Sequence, residues 1–233
     1  MQRDEAWEIS GFPCAGLGMF LTPMLPKTPV YSSIIKRLQA GQSFLDVGCF
    51  MGQDIRKLTF DGAPSDRLYA LDLANHWDLG YKMFRDKAKF SVHFIESDIR
   101  YPVAELQALK GSIDIISIIS VLHQYNWDDQ VRAVKQLCEL STPGSLVVGF
   151  QGGSISAYQM PAQTWNQESP PFIHDPQSFQ KLWSQAGKET GTEWLSDVSL
   201  RTWEEVGLDP KDTEYLGPDM RMLEFVVTRK NKE

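Results

Sequence analysis

The stretch LDVGCFMGQD, Leu45 to Asp54, places two acids, Asp46 and Asp54, around two glycines, Gly48 and Gly52. At a strand-to-helix turn such glycines let a backbone approach a ligand closely. Two cofactor classes use a turn of this kind. A dinucleotide asks for G-x-G-x-x-G, with its pyrophosphate against a helix N-terminus. Here bulky Phe50 stands where the middle glycine would be, and acids before and after the turn would repel phosphate. S-adenosylmethionine carries a sulfonium and an ammonium and no phosphate, so the same acids would attract it. Asp72 closes the next apolar run, where a carboxylate can accept hydrogen bonds from both ribose hydroxyls. Asp98, in ESD, is placed to reach an adenine amino group. The donor site expected from this pattern comprises Asp46, Gly48, Cys49, Phe50, Gly52, Asp54, Asp72, Leu73, Asp98 and Ile99. The competing reading makes the glycines a plain turn, Asp54 a helix cap and Asp72 a solvated strand-end acid.

The acceptor side rests on His123, in SVLHQYNW, which follows the fourth apolar run. Ligands of open α/β sheets bind in the crevice at such strand ends. His123 can bind substrate, act as a base, or simply complete a strand–helix turn. Gln124 and Tyr125 share its loop, and Trp127 serves either as helix-start packing or as a wall. Trp165, Phe172 and His174 fall in a long late loop that would line a large apolar pocket or pack on the surface. The four histidines, His76, His93, His123 and His174, are scattered, so no metal site is expected. Cys49 is read as a small turn residue, since nothing near it in sequence would lower its pKa.

These residues need elements to position them. SFLDV (43–47), LYALDL (68–73), SVHFI (91–95), IDIISIIS (113–120) and SLVVGF (145–150) are apolar and largely β-branched, as buried parallel strands are. Helical stretches lie between: DIRKLTF, WDLGYKMFRD, VAELQALK and NWDDQVRAVKQLCEL, the last with Asn126 as its N-cap. PQSFQKLWSQAG reads as a later helix stopping at Gly187, and two strands near 193–200 and 222–229 would pair as a hairpin-like edge. The alternation predicts an α/β doubly wound parallel sheet covered on both faces. Residues 1–40, with TPVYSSIIKRLQA as a helix, form an N-terminal helical or lid segment. Residues 41–233 form the main domain, with a loop insertion near 151–176.

The bulk properties narrow the class. A formal net charge of −7 argues against a nucleic-acid partner. No apolar run is long enough to span a membrane, and the N-terminus lacks a signal-peptide layout. Three cysteines without a CxxC pair suit a reducing compartment, so a cytoplasmic location is expected.

The string LDVGCFMGQDIRKLTFDGAPSDRLYALDL, with LGYKMFRDKAKF, FIESDIR, HDPQSFQKLW and DPKDTEYLGPDMRMLEFVVTR, resembles fungal class I methyltransferases of meroterpenoid biosynthesis, the austinol and terretonin pathway type. The likeness runs from about Phe12 to near the C-terminus. It implies a doubly wound, seven-stranded Rossmann-like fold with the last strand antiparallel. It also implies O-methylation of a small secondary metabolite, often at a carboxylic acid, with S-adenosylmethionine as cofactor. The expected partner is then a small apolar acid, and a homodimer is a possible assembly. Two departures stand out: Phe50 replaces a smaller or sulfur-bearing residue, and the segment before Phe12 is short for a lid. Alternatives are hydroxyl or nitrogen methylation, or a methyltransferase fold recruited as a cyclase or isomerase with a structural or absent cofactor.

Overall fold

The computed structural model describes all residues except 1, 12, 17, 90, 162–168 and 232–233. Seven strands form one sheet: β1 (Phe44–Val47), β2 (Leu68–Asp72), β3 (His93–Glu96), β4 (Ile113–Ile118), β5 (Ser141–Ser154), β8 (Trp194–Arg201) and β9 (Met220–Arg229). Their order is β3-β2-β1-β4-β5-β9-β8. The first five are parallel, and β9 runs antiparallel between β5 and the edge strand β8. The seven-stranded arrangement implied by the resemblance is therefore present.

Helices cover both faces, as the near-continuous apolar strands require. On one face, α3 (Tyr31–Gln39), α4 (Gln53–Phe60) and α5 (Trp77–Phe84) bury Ile34, Leu38, Ile55, Leu58 and Trp77 against Phe44, Ile115 and Val148. On the other, α7 (Trp127–Leu140) and α8 (Pro176–Thr190) bury Val134, Leu137, Phe179 and Trp183 against Val147, Leu223 and Phe225. Asn126 caps α7 as the sequence predicts: its side chain accepts from the Asp129 N–H at 2.8 Å.

Four boundaries differ from the sequence reading. β5 begins at Ser141, which pairs with Ile113 of β4, and runs to Ser154, because β9 pairs with it in unbroken register from Leu146↔Thr228 to Ser154↔Met220. The insertion therefore starts as strand, and it contains a small ribbon, β6 (Tyr158–Gln159) with β7 (Phe172–Ile173). The helix after β3, α6, is a single turn, Ala104–Gln107. α8 passes through Gly187, and Gly191, at φ +65°, ends it. Gly187 serves packing instead: a Cβ there would lie 2.7 Å from the Thr192 carbonyl oxygen. The N-terminal segment carries α1 (Gln2–Ile9) and the short α2 (Pro13–Gly16) before α3.

Candidate active site

β1 has β2 on one side and β4 on the other, so the chain's winding direction reverses between β1 and β4. A cleft opens at the C-terminal ends of these strands, where open α/β sheets bind ligands. Its lining includes Asp46, Gly48, Phe50, Asp54, Asp72, Leu73 and Ile99, all expected from sequence.

The turn after β1 is pinned by backbone hydrogen bonds. The N–H groups of Gly48 and Cys49 both donate to the Leu71 carbonyl, at 2.8 and 3.1 Å. The Phe50 N–H donates to Asp72 Oδ2 at 2.7 Å. Phe50 adopts φ +50°, a left-handed conformation that a bulky residue rarely takes. The Asp72 bond and the packing of its ring against Phe20 and His76 hold it there. Phe50, unusual at this position in the sequence, thus adds a third backbone N–H link, after those of Gly48 and Cys49, between the ends of β1 and β2.

Two expected lining residues lie elsewhere. Gly52 has φ +73°, and a Cβ there would sit 2.2 Å from the Trp77 ring. The indole packed on it leaves no room for a side chain at this position. Cys49 is buried in the core cluster with Leu25, Ile34 and Ile55, and burial pushes its thiol well above the usual range.

Three carboxylates line the cleft: Asp46, Asp54 and Asp72. Burial, with Asp54 nearby, holds the Asp46 carboxyl well above its ordinary range. Burial also raises Asp54, to about 6, against the lowering effect of its hydrogen bonds. Asp54 Oδ1 accepts from the Leu25 N–H at 2.7 Å, which ties the N-terminal segment to the turn. Asp72 is raised by burial too, although the N–H groups of Phe50 and Ala74 donate to it. No Lys, Arg or His is among the described lining residues. Such a donor set suits a cationic, phosphate-free ligand, while Leu73 and Ile99 offer apolar surface.

Asp98 departs from expectation. Arg100 holds its carboxylate at 2.7 Å and also reaches Asp129 at 2.8 Å. The carboxylate is thus spent on an ion-pair network beside the cleft, and its neighbours Ser97 and Ile99 do the lining. The same guanidinium lies 4.4 Å from the Tyr125 ring centroid, fixing that ring as part of the opposite wall.

On the acceptor side, Gln124 and Tyr125 line the cleft as expected. His123 sits next to them, its ring carbons 3.6 Å from where a Cβ on Gly152 would be. Burial lowers its pKa to about 4, and its Nδ1 has no hydrogen-bond partner among the described residues. His174 is not a cleft residue. It is fully buried between Gln130 Oε1 (2.9 Å) and Ser178 Oγ (2.8 Å). Gln130 Nε2 in turn donates to the carbonyls of Tyr125 and Phe172, at 2.9 and 2.8 Å. Trp127 packs edge-to-face on Phe172, and its Nε1 donates to Gln185. Trp165 lies outside the described residues.

The sequence reading missed Phe20, Thr22, Met24, Gln53 and the Ile119–Val121 turn, all of which line the cleft. MFLTPM carries no periodicity linking it to a site whose other lining residues lie between Asp46 and Tyr125; only the fold brings it there. Met24 and Ile119 also touch an apolar cluster of Phe150, Val206, Met222, Trp203 and Leu208, which continues the cleft wall into the body of the protein.

A doubly wound sheet with β9 antiparallel is the fold of the class I S-adenosylmethionine-dependent methyltransferases, and an acid-lined cleft with no Lys, Arg or His among its described lining residues lies at its switch point. No family model matches the chain. Curated relatives include O-methyltransferase phiE of Fungal sp. (strain ATCC 74256), 38% identical over 87% of this chain and 68% of that protein. Asnovolin E/Chermesin D methyltransferase nvfJ of Aspergillus novofumigatus is 33% identical over 97% and 80%. Methyltransferase adrK of Penicillium roqueforti is 31% identical over 87% and 72%. The chain belongs to this family of fungal secondary-metabolite methyltransferases. Solved structures agree on the fold. A Burkholderia thailandensis 1,6-didemethyltoxoflavin-N1-methyltransferase, with S-adenosylhomocysteine bound, matches at TM-score 0.62 and 15% identity over 99% of this chain and 87% of that one. The [4+2]-cyclase SpnF matches at 0.57 and 15% identity over 87% and 81%. Among the described residues no helix is long and apolar enough to cross a membrane, and no cluster of metal-ligating side chains occurs.

Proposed function

We propose that the cleft between β1 and β4 holds S-adenosylmethionine and that the methyl group passes to a carboxylate oxygen of a small, largely apolar acid. The observation that carries the acceptor assignment is the state of His123. It adjoins the lining residue Gln124 in the chain, it is half-buried, and desolvation shifts its pKa down to about 4, so it is uncharged at neutral pH. A base that weak is poorly matched to a phenol or alcohol at neutral pH. A carboxylate is already ionised there and needs no proton removed. The apolar cluster around Phe150 and Met222, continuous with the cleft through Met24 and Ile119, suits a mostly hydrocarbon acceptor. The O-methyltransferase name of the phiE relative supports transfer to oxygen.

The donor supplies an activated methyl group; the chain orients it. Asp72 would hold the ribose, Asp46 and Asp54 would complement positive charge, and Leu73, Ile99 and Tyr125 would enclose the base. Orientation of donor and nucleophile can lower a barrier by roughly 7–11 kcal/mol. The test of the donor site is calorimetric titration with S-adenosylhomocysteine. Asp72→Ala loses hydrogen bonds to a charged group, on the order of 1.5–3 kcal/mol, or about 10- to 150-fold in affinity. Equal affinity in both proteins would move the donor elsewhere. For the acceptor, candidate acids are incubated with donor and protein, and mass spectrometry looks for the gain of one methyl group. A product that mild alkali cleaves is an ester; one that resists is an ether, and would refute the carboxylate reading.

A further inference from the structure

The donor and the spent donor share adenosine and an amino-acid zwitterion. They differ in one methyl group and one unit of positive charge at sulfur. The cleft meets that difference with carboxylates from three elements: Asp46 at the end of β1, Asp54 in the first turn of α4 and Asp72 at the end of β2. Asp46 is 4% exposed and Asp54 3% exposed. We propose that Asp46, Asp54 and Asp72 make this cleft charge-selective: they hold a shared proton when it is empty, release it to solvent when the sulfonium donor binds, and keep it when S-adenosylhomocysteine binds. This rests on the cleft being the donor site.

The surroundings favour a shared proton. Facing Asp54 are the N–H of Leu25, the Gln53 side chain, the Tyr31 phenol and Lys27. The Lys27 ammonium donates to the Val206 carbonyl. Facing Asp46 are Asp54, Asp72, Ser117 and the buried Cys49 thiol. Facing Asp72 are the Phe50 and Ala74 N–H groups, His76, whose Nε2 meets Ser10 Oγ at 2.9 Å, and the Tyr125 phenol across the cleft. Arg56 lies behind the turn, where it bonds the Met51 carbonyl and Asp86. All three carboxyls are raised by burial, Asp54 to about 6. A sulfonium entering the cleft adds the positive charge that the described lining residues lack, and so favours the ionised form of the cluster. A neutral sulfide does not. The consequence is product discrimination that strengthens with pH: the donor outcompetes its own product once the cluster can lose its proton.

The experiment is isothermal titration of the intact protein with S-adenosylmethionine and, separately, S-adenosylhomocysteine. It is run in buffers of different ionisation enthalpy between pH 5.5 and 8. The expected result is about one more proton released per donor bound than per spent donor at pH 5.5. The ratio of the two affinities should rise about tenfold per pH unit below the cluster's ionisation and level off above it. Equal proton release by both ligands, or a flat affinity ratio, overturns the proposal. Asp54→Asn keeps an acceptor for the Leu25 N–H and removes one titrating group, so it should flatten the pH dependence of the ratio. An unchanged pH dependence in that variant removes Asp54 from the cluster and overturns the proposal as stated. Should the variant not fold, the wild-type proton count decides alone. Failure of the underlying donor-site reading looks different: Asp72→Ala and Asp54→Asn would then both bind the two ligands as wild type does.

Discussion

Gly48→Ala is expected to destabilise the protein and weaken donor binding, through a contact that a second substitution can remove. Gly48 has φ +75°, and a Cβ there would lie 2.3 Å from Val121 Cγ2 but 3.8 Å from Val121 Cβ. The left-handed backbone costs an alanine about 1–2 kcal/mol. Forcing an extra methyl into the packed wall adds about 1–3 kcal/mol. The sum, about 2–5 kcal/mol, corresponds to a fall in Tm of roughly 4–20 °C for a chain of this size. Val121→Ala removes the clashing methyl, and alone costs roughly 1.5–3 kcal/mol for the buried carbons lost. In the double variant the clash is gone and the φ cost remains. The double-mutant cycle should therefore show a favourable coupling of about 1–3 kcal/mol. Gly41→Ala is the control, since Gly41 has φ +91° with no atom within 4 Å of its Cβ position, so it reports backbone cost alone. Urea unfolding of the four cycle members gives the coupling, and titration with S-adenosylhomocysteine follows the cleft. Additivity within about 0.5 kcal/mol would refute the steric reasoning and leave φ as the sole demand at position 48.

Asp54 has a folded pKa raised to about 6, so the folded protein holds a proton there that the unfolded chain gives up near pH 4. Its contribution is present below the unfolded pKa and lost as pH rises through the folded one, up to about 3 kcal/mol. Unfolding of ligand-free Asp54→Asn should therefore lose less stability than wild type between pH 4 and 7; parallel curves would contradict this. With a carboxylate acceptor, the wild-type pH–rate profile should show no acidic limb near the lowered His123 pKa of about 4, and His123→Ala should retain turnover reduced only by poorer positioning. An ionisation in that range that the variant lacks, with activity nearly abolished, would make His123 the base. Gln130→Leu leaves the Phe172 carbonyl and His174 Nε2 without their partner, at about 1–3 kcal/mol for each buried group. Its denaturation midpoint should drop accordingly, and a midpoint within error of wild type would show that the network reorganises.

The sequence by itself determined the doubly wound sheet and singled out all three of the acids that line its cleft. Runs such as IDIISIIS can only be buried between two helical layers, because both faces of the strand are apolar. Acids at the ends of such runs must emerge at the strand ends, so Asp46 and Asp72 were legible. Asn126 as a cap was legible for the same reason: the partner N–H is three residues away. Tertiary structure decided which of the remaining candidates face the cleft. Asp98 looked equivalent to Asp72, but Arg100, anchored by Asp129, takes its carboxylate. His174 is held by Gln130, 44 residues earlier, and Gly52 is demanded by Trp77. Asp54 is held by the backbone of Leu25, 29 residues earlier, in a segment with no readable link to the site. Periodicity and capping are written in neighbouring residues and can be read from them. The partner that a polar side chain takes is set by what packing brings within about 3 Å of it, and only the folded chain specifies that.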